Sequence, residues 1–214
     1  MSTPASAALQ IPNVTYQHLF TVPFLAHFWA ENGALNGKLR ERVLARSRER
    51  RGENRSNRGG WHSESGQLEF LGDTREPLMQ QMHQLADAAT QRVLAESGAK
   101  LVPIEWSFTA WANLSRAGDS HAAHTHPGAT WSGVYYVDPG ESIPGDSAPL
   151  QLIDPCQGRA NTFLPFLLPS TVHVQPKAGL MVLFPSYLGH TVFPYQGPGT
   201  RISIAFNLRK EPYP

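Results

Sequence analysis

The sequence has a single cysteine, Cys156, so an internal disulfide cannot form. Its first residues, MSTPASAALQIP, lack the basic start and the apolar run of a signal peptide. Together these two absences predict a protein of the reducing, cytoplasmic compartment. No stretch approaches the roughly 20 consecutive apolar residues that a membrane-spanning helix needs, so we expect a soluble protein with no membrane partner.

An excess of charge is also missing, since 18 basic residues face 17 acidic ones and the net charge is +1. This balance excludes a general attraction to nucleic acid or to membranes. Eight arginines lie between Arg40 and Arg58, but glutamates are interspersed and no aromatic residues are interleaved for base stacking. We therefore expect a solvated helix face and loop without nucleic acid binding. Its functional alternative is a positive rim that attracts an anionic substrate.

What is present fits one domain of 214 residues. We expect a flexible N-terminus at 1–18, a helical layer with a substrate loop at 19–100, and a β core at 101–214. Apolar residues at helical spacing predict helices near 32–50 and 75–97, the second ended by Gly98. After residue 100 the period changes to two, as in a strand. The strand candidates are IEWSFTAW, WSGVYYV, PLQLID, STVHVQ, GLMVLF, HTVFPY and RISIAFNL. Such a series of seven or eight short strands favours a β-sandwich or barrel.

Three histidines stand within the stretch HAAHTHP. On an extended segment His124 and His126 point to the same face and can converge on one ion, whereas His121 points to the other face. A metal held from one strand needs a further ligand from a neighbouring strand. His190, between two later strand candidates, is the best candidate for it. We expect His121 to lie outside the first coordination shell.

Arg201 and Ser203 follow His190 in the sequence and could bind the far end of a ligand held near that histidine. Hairpin counting around Gly197 pairs Arg201 with about Pro194, which separates the Arg201 backbone from His190 by roughly 13 Å along the sheet. Arg201 and Ser203 share one strand face with Ala205, and the apolar residues between them share the other, which can pack on helices. A guanidinium beside a hydroxyl is suited to binding a carboxylate.

These segments resemble a known family. The ordered set HTHPGATWSGVYYV, LQLIDP, GLMVLFPSYLGHTVFP and RISIAFN, with NRSNRGGWHS upstream, is similar to the putative 2-oxoglutarate/Fe(II) oxygenases of short bacterial and phage proteins. The resemblance implies a double-stranded β-helix, a cupin-like jelly roll, with N-terminal helices packed on its outside. It implies Fe(II) and 2-oxoglutarate as cofactors. The implied metal ligands are His124, His126 and His190, the implied 2-oxoglutarate anchors are Arg201 and Ser203, and further cosubstrate candidates are Asn113, Ser132 and Tyr135.

The implied activity is oxidation of a small-molecule substrate by O2, most often hydroxylation, with decarboxylation of 2-oxoglutarate to succinate. Desaturation or ring closure would use the same residues. Most members of the wider superfamily have Asp or Glu where His126 stands. Three neutral imidazoles suit Fe(II) but also Zn(II), Cu(II) or Ni(II). Asp154 is a possible acidic ligand, and a filled position 126 argues against halogenation.

Two alternatives remain at this point. One is a three-histidine dioxygenase that uses no 2-oxoglutarate, which would have no need of Arg201 and Ser203. The other is a non-catalytic cupin-like protein that binds a metal or ligand. The loops PGESIPGDSAP and QGRANTFLPFLLPS are expected to contribute to the pocket lining, and SNRGGWHS is either a loop over the site or a turn with a packed tryptophan. A homodimer is a further expectation.

Overall fold

The structure is a computed structural model that describes residues 21–100, 103–141, 148–156 and 170–211. The N-terminus at 1–18 lies outside the described residues, as do most of PGESIPGDSAP and nearly all of QGRANTFLPFLLPS. Predictions made for those segments stay predictions.

Both predicted helices are present. Helix α1 spans Gly33–Glu49, a 3₁₀ helix spans Glu69–Thr74, and helix α2 spans Arg75–Ser97. The apolar residues at helical spacing are buried along most of each helix: Leu39 and Val43 in α1, and Leu78, Met82, Leu85 and Ala89 in α2. Val93 is 38% exposed, so the buried stripe of α2 ends before its last turn. Gly98 ends α2 in the left-handed conformation, with φ of 73°.

Neither of these helices combines the length and the apolarity that a bilayer span requires.

Eleven strands lie within the described residues. Seven of them coincide with the predicted strands: β4 (Trp106–Ser115), β6 (Trp131–Asp138), β7 (Leu150–Ile153), β8 (Thr171–Val174), β9 (Leu180–Pro185), β10 (His190–Val192) and β11 (Arg201–Lys210). Four were not predicted: β1 (Leu25–Phe28), β2 (Asn57–Arg58), β3 (Trp61–His62) and β5 (Ser120–His124). The segment 19–100 is therefore not a purely helical layer, because β1, β2 and β3 add strands to the core.

The strands form two antiparallel sheets. The larger sheet has the order β1-β9-β6-β11-β4-β3, and the smaller one has the order β2-β5-β10-β7-β8. Helices α1 and α2 pack on the larger sheet, against β4 and β6 and against β1 and β9 respectively. This is the predicted jelly roll, a double-stranded β-helix with helices on its outside.

Strand β11 divides its side chains between the two faces of the larger sheet. Ile202, Ile204 and Phe206 are fully buried in the cluster that includes the helices. Arg201 and Ser203 face the space between the sheets. The alternation predicted for RISIAF is thus confirmed, and it places a charged residue inside the barrel.

The predicted hairpin between β10 and β11 is wrong. Strand β10 pairs with β5 and β7 in the smaller sheet, whereas β11 pairs with β4 and β6 in the larger one. Arg201 lies opposite Ser115 and not opposite Pro194. Because the connection crosses from one sheet to the other, His190 and Arg201 face each other across the barrel interior instead of lying along one sheet.

Candidate active site

Three histidines meet at the end of the smaller sheet. His124 ends β5, His190 begins β10, and the two residues are direct partners in the strand pairing. His126 follows two residues beyond β5, where its backbone N–H donates to the Ser186 carbonyl at 2.9 Å. One nitrogen from each of the three rings lies within 4.8 Å of the other two. Within the described residues this is the only group of histidine, cysteine and acidic side chains close enough to hold an ion.

Backbone carbonyls fix the orientation of two of these rings. His124 Nδ1–H donates to the Ala122 carbonyl at 2.7 Å, and His190 Nδ1–H donates to the Leu188 carbonyl at 2.9 Å. A carbonyl oxygen only accepts, so the proton sits on Nδ1 and the lone pair is on Nε2. Histidines that bind metals use the same arrangement, because a bond at one nitrogen orients the other toward the ion.

The histidines are neutral at ordinary pH. Burial lowers the pKa of His126 to about 3 and the pKa of His190 to about 4, and it also lowers the pKa of His124. Neighbouring histidines add to the shift of His126 and His190. Neutral imidazole is the form that binds a metal, so the lone pairs are available without loss of a proton.

Arg201 lies in a narrow cavity that the three histidines also line. The residue is 2% exposed, and its Nε has no hydrogen-bond partner. Among the described residues, no carboxylate lies within 4.0 Å of its guanidinium, and the ring of Tyr136 is its aromatic neighbour at 5.4 Å. Burial lowers the pKa of Arg201, although an arginine keeps its charge in proteins. A buried cation without a counter-charge is costly, which suits this cavity to an anionic ligand.

Further polar side chains surround Arg201. Ser203, Asn113 and Ser132, for which the family resemblance implied cosubstrate contacts, line the same cavity. The Asn113 Oδ1 atom is buried without a hydrogen-bond partner, and Ser132 Oγ donates to Asn207 Oδ1 at 2.7 Å. Asn113 is thus the member of this set with unused hydrogen-bonding capacity.

Tyr135 lies elsewhere. Its hydroxyl donates to Asn36 Oδ1 at 2.6 Å and accepts from Asn32 Nδ2 at 2.8 Å, on the helix side of the larger sheet. The next residue, Tyr136, lines the cavity in its place, with a fully buried hydroxyl that has no partner. The structure therefore separates Tyr135 from the site, because successive side chains of β6 point to opposite faces.

His121 also lines the cavity, contrary to the expected alternation. His190 pairs with His124, but Val192 pairs with His121, so β5 contains one more residue than β10 over this interval. That extra residue is a β-bulge, and it turns His121 to the same side as His124. Burial, followed by the charge of Arg201, lowers the pKa of His121 to about 3. His121 remains outside the three-histidine group, as expected.

Asp154 does not join the histidines. Its carboxylate accepts from the Cys156 backbone N–H at 2.9 Å, and the residue lines a separate groove with Val22 and Val172. The idea of an acidic ligand at Asp154 is therefore wrong for the group that the structure assembles.

A wider cleft opens beside the cavity. It has a volume of about 620 Å³ and shares Ser56, Trp111, His124 and His126 with the cavity. The other lining residues are Arg55, Arg58, His62, Ser65, Thr109, Ala122, Ala123 and Asn207. The lining contains two arginines and no carboxylate, and its volume suits a small organic ligand.

The segment SNRGGWHS supplies part of this cleft. It forms β2 and β3, joined by Gly59 and Gly60, whose φ angles of 74° and 67° favour glycine. Trp61 is buried and donates from Nε1 to the Arg50 carbonyl at 2.9 Å, while the ring of His62 stacks on Trp111 at 5.5 Å. The segment thus contains a packed tryptophan, Trp61, and it also contributes Arg58 and His62 to the lining of the cleft.

Several solved protein structures share this fold. A Pseudomonas putida prolyl-4-hydroxylase has a TM-score of 0.65 at 20% identity, over 90% of this chain and 95% of that one. A Trichoplax adhaerens prolyl hydroxylase in complex with a hypoxia inducible factor peptide fragment has a TM-score of 0.59 at 15% identity, over 87% and 83%. HygX from Streptomyces hygroscopicus, with nickel and 2-oxoglutarate bound, has a TM-score of 0.57 at 12% identity, over 88% and 83%. At these identities the likeness shows the fold alone. No curated protein is significantly similar to this sequence.

Part of the sequence also matches a known protein family. Residues 109–207 match the family of putative 2OG-Fe(II) oxygenases, and this range contains the three histidines, Arg201 and Ser203. Through residues 109–207, a little under half of its length, the chain is similar to the putative 2OG-Fe(II) oxygenase family.

Proposed function

We propose that His124, His126 and His190 hold Fe(II), with Nε2 of His124 and His190 as two of the ligand atoms. Support comes from the close approach of the three rings and from the carbonyls that hold Nδ1 of His124 and His190. Three neutral imidazoles leave the ion at +2, so 2-oxoglutarate as a dianion neutralises the centre.

Arg201 holds the far carboxylate of 2-oxoglutarate, with Ser203 beside it. One observation carries this proposal: a buried guanidinium without a carboxylate neighbour among the described residues lines the same narrow cavity as the histidines. The unpartnered Asn113 Oδ1 and Tyr136 hydroxyl lie in the same lining and extend the polar set. A three-histidine dioxygenase without 2-oxoglutarate would leave this buried charge without a function.

Bound Fe(II) and 2-oxoglutarate supply the oxidising chemistry, in which 2-oxoglutarate, O2 and a C–H bond give succinate, CO2 and a hydroxylated product. The residues of the chain bind, orient and exclude water. Carbonyl contacts hold the rings of His124 and His190, Arg201 fixes the far end of the cosubstrate, and Phe184 packs edge-on against His190 at 5.0 Å. Desaturation or ring closure would use the same residues.

The substrate is a small molecule that binds in the 620 Å³ cleft. An anionic substrate is favoured, because Arg55 and Arg58 line the cleft and no acidic side chain does. Glu53 neutralises Arg55 at 3.0 Å, whereas no carboxylate of the described residues lies within 4.0 Å of Arg58. Arg58 is thus the cation that a substrate carboxylate or phosphate would meet.

A homodimer and a cytoplasmic location stay predictions from the sequence.

An anaerobic absorbance titration tests this function. Purified protein with Fe(II) should develop a visible charge-transfer band when 2-oxoglutarate is added, and candidate small acids that enter the cleft should shift that band. With O2 and a true substrate, succinate should form. A protein that holds the metal but gives neither the band nor succinate would favour the non-catalytic binding protein.

The variant Arg201→Ala separates 2-oxoglutarate binding from metal binding. It should weaken 2-oxoglutarate binding at least about tenfold, because a charge-assisted hydrogen bond is lost, and leave the iron content unchanged. Arg209→Ala is the matched control, since Arg209 lies on the same strand but is exposed and bonds to the Gly128 carbonyl. An equal loss of metal in Arg201→Ala would contradict the role given to Arg201.

A further inference from the structure

We propose that His121 is a second donor to the far carboxylate of 2-oxoglutarate, acting from the sheet opposite Arg201. This inference rests on the proposed function, and it adds a residue to the cosubstrate contacts proposed above. His121 stands on β5 of the smaller sheet, and Arg201 stands on β11 of the larger one. Both residues line the same cavity, so an anion between the sheets would meet both.

The bulge in β5 is the main observation behind this proposal. In a regular strand, residues three apart point to opposite faces, so His121 would point away from the side that His124 faces. The register change between the His190–His124 and Val192–His121 pairs removes that opposition. Bulges of this kind re-aim a side chain, and they are frequent beside active sites. The bulge removes one residue of β5 from the regular strand pairing, and it points the imidazole of His121 into the cavity.

The main chain at the bulge is held from both sides. Thr191 Oγ1 donates to the His121 carbonyl at 2.6 Å, and Ala122 N–H donates to the Ser56 carbonyl at 2.8 Å. His121 also pairs with Asn57 of β2. These contacts hold the backbone from which the ring projects before any ligand arrives, which lowers the entropy lost on binding.

The contacts of the ring suit a donor. Ser56 Oγ lies 3.4 Å from His121 Nδ1. When this hydroxyl donates to Nδ1, the ring proton sits on Nε2, which is then a donor for a carboxylate oxygen. The cavity lining contains no acidic side chain, so within the described residues the anion that would satisfy both His121 and Arg201 is not part of the protein.

A metal-ligand role for His121 is less consistent with the geometry. His121 is not among the described residues whose ligand atoms lie within 4.8 Å of one another, which are His124, His126 and His190. His121 is therefore placed as a cosubstrate-binding residue, and it should affect 2-oxoglutarate without affecting the ion.

The test compares two 2-oxo acids on Fe(II)-loaded protein under anaerobic conditions. 2-Oxoglutarate has the far carboxylate and pyruvate lacks it. In His121→Leu the affinity for 2-oxoglutarate should fall about tenfold, while the pyruvate affinity and the iron content stay as in the wild type. His121→Gln should restore much of the affinity, since its amide nitrogen can take the place of Nε2, and His121→Asn should restore less. His173→Leu, an exposed histidine on β8 of the same sheet, is the matched control.

Three results would overturn the inference. Unchanged 2-oxoglutarate affinity in His121→Leu would remove the contact. An equal fall for pyruvate and 2-oxoglutarate would assign His121 a purely structural role, and loss of iron would make it a metal ligand. Thermal unfolding of each metal-free variant separates a folding defect from a binding defect, with His121→Gln as the milder change. Failure of the proposed function is distinct, because the wild type itself would then bind no iron or no 2-oxoglutarate.

Discussion

His126 differs from the other two ligand candidates in how it is held. His124 and His190 are paired across two strands, whereas His126 lies beyond the end of β5, with its backbone bonded to Ser186 and its ring packed at 5.5 Å from Trp111. The resemblance drawn from the sequence implies Asp or Glu at this position in most members of the wider superfamily. With His126 as a ligand, as proposed, the ion would have three neutral protein ligands, a set that suits a wider range of metals.

Substitution of His126 tests this arrangement. His126→Ala should lower the Fe(II) affinity at least tenfold, because one of three protein ligands is lost. His126→Asp should retain part of it, since a carboxylate also binds Fe(II). The metal content after dialysis against limiting chelator measures both. Unchanged iron in His126→Ala would remove this residue from the site.

The sequence predicts the position of some site residues but not of others. The H-x-H pair, His190 and the Arg201–Ser203 face follow from spacing and alternation, and the structure brings them to one cavity. Tyr135 and Tyr136 stand side by side on a strand that is buried on both faces, so polarity does not tell which one faces inward. Only the docking of α1 on one face, with Asn32 and Asn36 bonded to Tyr135, decides it.

The helical layer is joined to the sheet by a polar network as well as by apolar packing. Tyr135 of β6 bonds Asn36 of α1 and Asn32, and Asn32 exchanges two side-chain hydrogen bonds with Gln81 of α2 at 2.8 and 3.0 Å. One tyrosine hydroxyl thus links both helices to the larger sheet. Such a buried network is stabilising while every member is satisfied.

Removal of that hydroxyl should loosen the layer without changing the chemistry. Tyr135→Phe should lower the free energy of unfolding by about 1–3 kcal/mol, because Asn36 Oδ1 and Asn32 Nδ2 lose a partner. Urea denaturation measures this, and the affinities for Fe(II) and 2-oxoglutarate should not change. Tyr136→Phe is the contrasting variant: its hydroxyl has no partner, so stability should hold while 2-oxoglutarate binding weakens. The reverse pattern would contradict the placement of the two tyrosines.

Two element-scale features are invisible in a single sequence. The bulge at His121 depends on the register of β5 against β10, which is a property of the pair and not of either strand. The link from β10 to β11 looks like a hairpin because of its Gly-Pro turn, yet it crosses between sheets. Both helices and seven of the eleven described strands were predictable from periodicity, because each buries a face of fixed period. The short strands β1, β2, β3 and β5 were not predicted. The pairing of the strands was not predictable, because it is set by contacts distant in sequence.

At the scale of the whole molecule, four of the eight arginines between Arg40 and Arg58 form ion pairs with acidic side chains. Arg40 pairs with Asp138, Arg42 with Asp73, Arg46 with Glu64 and Arg55 with Glu53. Exposed ion pairs of this kind contribute little to stability, so their main effect is to remove charge from the surface. The predicted solvated face is thus observed, and Arg58 is the arginine of this segment that reaches the cleft without a carboxylate within 4.0 Å among the described residues.

The buried histidines should make the metal-free protein sensitive to acid. His121, His126 and His190 have pKa values of about 3, 3 and 4 in the folded chain, below the ordinary value of 6.5 that the unfolded chain regains. Between about pH 4 and 6.5 the unfolded state therefore binds more protons, so stability is greatest above pH 6.5 and falls as the pH drops through this window. Each such histidine adds up to about 1.4 kcal/mol per pH unit to that slope.

Urea unfolding of chelator-treated protein from pH 7.5 to pH 4.5 measures this dependence. His190→Gln should show a shallower loss of stability with falling pH, because one buried imidazole no longer takes up a proton on unfolding. His173→Gln, the same substitution at an exposed histidine of β8, is the matched control. The slope is informative even if His190→Gln lowers stability at every pH, because a uniform loss shifts the curve without changing its gradient. Equal gradients in wild type and His190→Gln would mean that His190 takes up its proton over the same pH range in the folded and the unfolded chain, and this would contradict the lowered pKa of the buried imidazole.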